Sequence, residues 1–379
     1  MQPLDRRRFG LATLASATAL ALLSSPLAAL AHGGPPAAGR VYTATNAPGG
    51  NELVVLGLDD DGQLTLVDRI ATGGAGTGAG LGSQGAVTLS GDGRHVLVVN
   101  AGTHTLSLFS LRGRRATLSA VVDSGGLQPI SVSEREGIVY VLNAGGAGNV
   151  AGFRLHRDSL QAIAGSSRPL SAAGGTGPAQ VGFSSDGDTL LVTEKATNRL
   201  TSWRVGHDGR LGAAVITPSA GVTPFGFAFD NRDRVVVSEA AGGAALASTA
   251  SSYRFEERSP ALPKLVSAAV PTTQTAACWV AITPNGLHAY TGNAGSSSIS
   301  RYAIRRDGSL SLGQAAAGVT GPAGTGVTDL AVARSGQMLY ALAPGAARIV
   351  AFEVASDGTL APAGAVNGLP PLMVGLAAN

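Results

Sequence analysis

The sequence repeats itself, and the repeat restricts the fold more than any other feature. The turn signals SGDGR at 90, SEREG at 133, SSDGD at 184, DNRDR at 230, TPNGL at 283 and RSGQM at 334 recur at intervals of roughly 40–50 residues, the period of propeller blades. Each precedes a β-rich segment: HVLVVN, IVYVLN, TLLVTE, VVVSE, HAYTGN and LYALA, with VYTATN near the N-terminus as a seventh copy. A short loop then leads to an alternating strand such as TLSLFSL, NVAGFRL, RLTSWRV, SISRYAI or RIVAFEV. Asp-Gly hairpin signals often follow, as in DDDGQL, HDGRL, RDGSL and SDGTL. Helical periodicity is absent beyond residue 31. The pattern predicts an all-β fold over residues 40–379: a seven-bladed β-propeller of four-stranded antiparallel blades. The first copy lacks an inner strand, and the C-terminal LMVGLAAN is an inner-type strand without a partner, so the two ends are expected to share one blade. Closing the ring in this way removes the sheet edges that an open array would expose. The tracts ATGGAGTGAGLG and AAGGTGPAQ are read as loops between blades, where glycine permits tight turns.

Ahead of the repeats stands DRRRFG, then a nearly uncharged stretch over residues 11–30, then ALAHGG. Basic, apolar and small residues in that order describe an export signal, here of twin-arginine type, with cleavage expected after Ala31 and a linker over 32–39. The expected location is periplasmic or secreted, with no stable membrane insertion after cleavage. Removing Arg6, Arg7, Arg8 and Asp5 with the signal lowers the formal charge from +3 to about +1. No basic stripe interleaved with aromatics remains, so a nucleic-acid partner is not expected. Cys278 is the only cysteine, which precludes an internal disulfide in a monomer, the expected state.

Aligning the copies places one polar column at the end of the second strand of each blade: Asn46, Asn100, Asn143, Glu194, Glu239, Asn293 and Ala343. In a propeller these positions gather at one face, so they are expected to ring the channel mouth. Glu194 and Glu239 lie on neighbouring blades. Two nearby carboxylates raise one another's proton affinity or attract a cation, which makes them candidates for acid–base catalysis or for a divalent cation such as Ca²⁺. The competing reading is structural, since strand-end Asn and Glu commonly satisfy backbone groups in turns. Asn46, Asn100, Asn143 and Asn293 are candidate ligand-binding residues, joined by His104, Arg199 and Gln180 on the same face. Gln84, Gln128, Phe225, Cys278 and Trp279 fall near the starts of the inner strands. No G-x-S-x-G, H-E-x-x-H or cysteine pair occurs, so neither that serine hydrolase class nor a familiar zinc site is signalled.

Through FSSDGDTLLVTEKATNRLTSWRVGHDGRL and ITPNGLHAYTGNAGSSSISRYAIRRDGSL the repeats resemble the lactonase-type seven-bladed propellers, a family that includes bacterial 6-phosphogluconolactonases and fungal carboxymuconate-lactonizing enzymes. The resemblance implies an enzyme that opens or closes a lactone or similar ester of a small organic or sugar acid. Many enzymatic members carry His-x-His at the start of an inner strand, where this chain has Gly177 and Ala179. Two functional expectations stand together: lactone chemistry with Glu194 or Glu239 activating water, or a non-catalytic exported propeller that binds a small ligand, glycan or protein partner.

Overall fold

A computed structural model describes residues 39–59, 63–113, 115–256 and 259–379. The expected export signal, residues 1–31, and the expected linker up to residue 38 lie outside the described residues. Among the described residues no helix is long and apolar enough to cross a membrane.

Seven antiparallel sheets form the ring, each with strands a to d from the channel outward. The inner strands a are Val374–Ala378, Val87–Leu89, Pro129–Arg135, Pro178–Phe183, Pro224–Phe229, Ala277–Ile282 and Asp329–Val332, for blades 1 to 7. Blade 1 is made from both chain ends, as expected: Val374–Ala378 pairs antiparallel with Arg40–Ala44, in a register that sets Val41 against Ala378 and Tyr42 against Ala377. Arg40 N–H also donates to the Asn379 side chain at 2.6 Å. Blade 3 departs from the uniform plan. Its outer position is split into Ser159–Ala162 and Arg168–Pro169, both paired to Asn149–His156. A turn between them is closed by the Ser166 N–H on Ile163 O at 3.1 Å.

The recurring a–b turn has a local cause. In SGDGR, Asp92 Oδ1 accepts the Ser90 hydroxyl at 2.6 Å and the Arg94 N–H at 2.9 Å. Asp186 does the same for Ser184 and Asp188, and Asn285 for Thr283 and Leu287. The side chain thereby supplies turn hydrogen bonds that the sheet cannot. The Asp-Gly hairpins act between blades: Tyr140 donates its buried hydroxyl to Gly209 O and Tyr290 to Gly358 O, each at 2.7 Å. Apolar side chains of strands a to c fill the wedges between blades, with Trp203, Tyr140, Tyr253 and Phe109 among the largest fully buried.

Candidate functional site

The polar column forms, but its side chains point into the blades. Asn100, Asn143, Glu194, Glu239 and Asn293 end their b strands and are fully buried, and Ala343 ends the seventh equally buried. Glu194 accepts the Ser171 N–H at 3.0 Å, the Ser171 hydroxyl, the Thr197 hydroxyl at 2.8 Å and the Thr201 hydroxyl at 2.7 Å. Glu239 accepts the Gly221 N–H at 2.9 Å, the Ser251 hydroxyl at 2.5 Å, the Thr249 hydroxyl and a long contact from Ser219. Each carboxylate thus ties the connection entering its blade to strand c of the same blade.

The choice between amide and carboxylate follows from the facing hydroxyl. Ser107 donates to Thr72 O and Ser300 to Ala315 O, so both need a donor in return, which the Asn100 and Asn293 amides supply at 2.7 and 2.9 Å. Thr201 and Ser251 instead donate inward, and a carboxylate, which only accepts, suits them. Burial, the largest influence, raises the Glu239 carboxyl above its ordinary value against these hydrogen bonds. The expected mutual repulsion of the two glutamates is not its cause. Among the described residues no group of three His, Cys, Asp or Glu is placed to hold a metal ion.

Of the other expected ligand residues, all but Arg199 are shown engaged within the fold. Asn143 accepts the Ser124 hydroxyl at 2.8 Å. Asn46 holds the loop after strand d of blade 1, through Thr77 and Ala79 O. His104 Nδ1 accepts the Gln128 N–H at 3.0 Å. Arg199 is exposed at the start of its strand, and Gln180 binds the Phe227 backbone through both ends of its amide.

The b–c end of the channel, where the mouth was expected, is crossed by residues 82–85. This segment enters blade 2 and reaches four other blades. Ser83 donates to Ile130 O, Gln84 N–H to Ala179 O, and Trp279 Nε1–H to Ser83 O. The Gln84 amide spans the channel to bind both Val280 O (2.8 Å) and Val280 N–H (3.0 Å). Gly226 makes room for it, since a Cβ there would lie 2.1 Å from Gln84 Oε1. The channel below this plug encloses about 340 Å³ between strands a, lined by Gln84, Thr88, Ser133, Gln180, Phe227 and Asp329 among others. A second cavity of about 370 Å³, among the a–b turns of Glu134, Ser185, Asn231 and Pro284, shares Ser133, Phe183 and Phe229 with it. The accessible end is therefore the a–b end, opposite to the expected one.

At the blind end lies Asp329, which sequence reasoning missed. Its carboxylate accepts N–H groups from Leu330 (2.8 Å), Leu376 (3.1 Å) and, weakly, Gly85 (3.5 Å). Burial outweighs these bonds and pushes the carboxyl up to about 8. Its signal was faint: Asp329 stands five residues before RSGQM, whereas Gln180 and Trp279 stand four before SSDGD and TPNGL, and only the strand pairing sets all three level, each opposite the residue before the end of strand b.

Residues 159–275 match the family model described as Lactonase, 7-bladed beta-propeller. No curated protein sequence matches the chain significantly. Solved structures resemble it in fold. A periplasmic gluconolactonase from Pseudomonas aeruginosa has a TM-score of 0.68 at 15% identity, covering 88% of this chain and 98% of that one. A proposed 6-phosphogluconolactonase from Bacteroides uniformis has 0.69 at 16%, covering 89% and 98%. A protein from Lactobacillus plantarum has 0.70 at 16%, covering 90% and 100%.

Proposed function

We propose, from the match of residues 159–275 to the lactonase-type seven-bladed propellers, that the chain is an exported protein which takes a small cyclic ester into its blind channel and opens it there. The observation that carries this reading is the buried carboxyl of Asp329 in a channel large enough for a small organic molecule. In the ionised form Asp329 accepts a proton from water as its oxygen attacks the ring carbonyl, the ring C–O bond breaks, and the proton passes to the departing oxygen. The Gln84 and Gln180 amides each place one N–H on a backbone carbonyl and have a second with which to steady a developing oxyanion.

A carboxyl with a value near 8 is mostly protonated at pH 6, so turnover above the buffer rate should rise with pH through about 8. Hydrolysis of δ-gluconolactone and γ-butyrolactone, followed by pH-stat, tests this. Asp329→Asn should lower turnover by roughly 100-fold or more per folded molecule. Wild-type protein no faster than buffer, or an equally active Asn variant, defeats the hydrolytic reading. The hydrogen-bond saturation of Glu194 and Glu239 favours a second reading, ligand binding without turnover, which calorimetry with the same lactones would register as binding alone.

Export rests on DRRRF and the apolar stretch behind it. Replacing Arg6 and Arg7 with lysine should leave precursor in the cytoplasm, because the twin-arginine route reads the arginine pair itself and not its charge. Unchanged export of the double-lysine form would indicate the general secretory route.

A further inference from the structure

Among the described residues no lysine, arginine or histidine lines the channel below the plug, and Asp329 is the one ionisable side chain there. The polar groups around it are uncharged and largely committed. Thr88 donates its hydroxyl to Val132 O at 2.7 Å, and the Gln84 and Gln180 amides each hold a backbone N–H and carbonyl of another blade. Phe227 and Phe229 add an apolar wall, with ring centroids 5.9 Å apart.

Among the described residues Arg135 is the one cation lining the outer cavity, and carboxylates match it there. Its side chain is 40% exposed, and Glu136 Oε1 lies 4.0 Å from its Nε. Glu134 lines the same cavity, its carboxylate fixed by the Gly91 and Gly137 N–H groups at 2.6 and 2.7 Å. An anion moved from water into the inner channel therefore loses hydration and meets no counter-charge. An uncharged ring bearing hydroxyl or carbonyl groups loses far less, and the remaining N–H of each glutamine can replace part of it.

We infer that the channel sorts ligands by charge: it takes uncharged lactones, rejects lactones that carry a carboxylate or phosphate, and expels its own product. Ring opening adds water across the ester C–O bond and leaves a hydroxy acid, which gives its proton to solvent and becomes an anion beside Asp329. The charge that the reaction creates is one that the channel cannot hold. The inference rests on the proposed function for the ligand class, while the selectivity is a binding property and needs no turnover.

The test is titration calorimetry of the full chain with glucono-δ-lactam, an uncharged ring that resists hydrolysis, and with gluconate and 6-phosphogluconate. At pH 8.5 Asp329 is mostly ionised and adds a like charge. The lactam should bind roughly 100-fold more tightly than either anion. Ser133→Lys sets an ammonium where the two cavities meet, and should tighten gluconate about tenfold while leaving the lactam within about threefold of wild type. An anion that binds wild-type protein within about tenfold of the lactam overturns the inference, as does a lactam that does not bind. A lysine variant that folds and gains nothing for gluconate also overturns it; where that variant fails to fold, the wild-type ratio decides. Selective binding of the lactam without hydrolysis of any lactone would uphold the inference while the hydrolytic reading of the channel fell.

Discussion

Deleting residues 372–379 is expected to abolish the native fold. The deletion removes the inner strand of blade 1, and with it the buried side chains of Met373, Val374, Leu376 and Ala377. The larger of these are worth about 1.5–3 kcal/mol each when fully buried, so the apolar loss alone is roughly 5–8 kcal/mol. Strand Arg40–Ala44 would then present an unpaired edge to the channel. Asp329 would lose the Leu376 N–H as well, leaving a fully buried carboxyl with one donor fewer. Against a total stability of about 5–15 kcal/mol this is most of what holds the domain together. Soluble yield and thermal unfolding measure it. A truncated protein that melts with the full-length chain would mean that the shared blade does not close the ring.

The second large effect is at the two buried glutamates. Glu194→Ala would strip the Ser171 N–H and three hydroxyls of their acceptor inside blade 4. A buried donor left without a partner costs about 1–3 kcal/mol, and hydroxyls recover part of that by rotating, so a net loss of about 3–5 kcal/mol is expected. Glu194→Gln keeps the volume and one acceptor and should lose about 1–2 kcal/mol on the same reasoning. Denaturant unfolding gives these values directly. Turnover per folded molecule, for any lactone that the chain opens, should be unchanged in both variants. A variant with wild-type stability and no activity would restore Glu194 to the chemistry.

Glu239 adds a pH signature. Burial raises its folded-state value above that of the unfolded chain, so the folded protein binds the proton more tightly and wild-type stability falls as pH rises through the folded value. Gln at 239 cannot titrate. The stability deficit of Glu239→Gln should therefore be larger at pH 4 than at pH 7.

The number of blades, their strand order and the closure of the ring were all legible in the residues, because each is fixed by local chemistry repeated along the chain. Alternating apolar residues choose strands, an Asp or Asn side chain closes the a–b turns of blades 2, 4 and 6, and Asp-Gly pairs make outer hairpins. The equivalence of Glu194 with Asn100 was legible for the same reason. What that equivalence meant was not. Whether a strand-end carboxylate faces a channel or a neighbouring hydroxyl depends on which way Ser107, Thr201, Ser251 and Ser300 donate, and their partners lie on other strands. The open end of the channel was hidden for a stronger reason. Gln84 meets Val280 across 196 residues of sequence, and Asp329 meets Gly85 across 244, through contacts that no repeat encodes. Repetition determined the frame, and the departures from it, one glutamine, one glycine and one aspartate converging on the axis, closed one mouth and left the other open once the ring had folded.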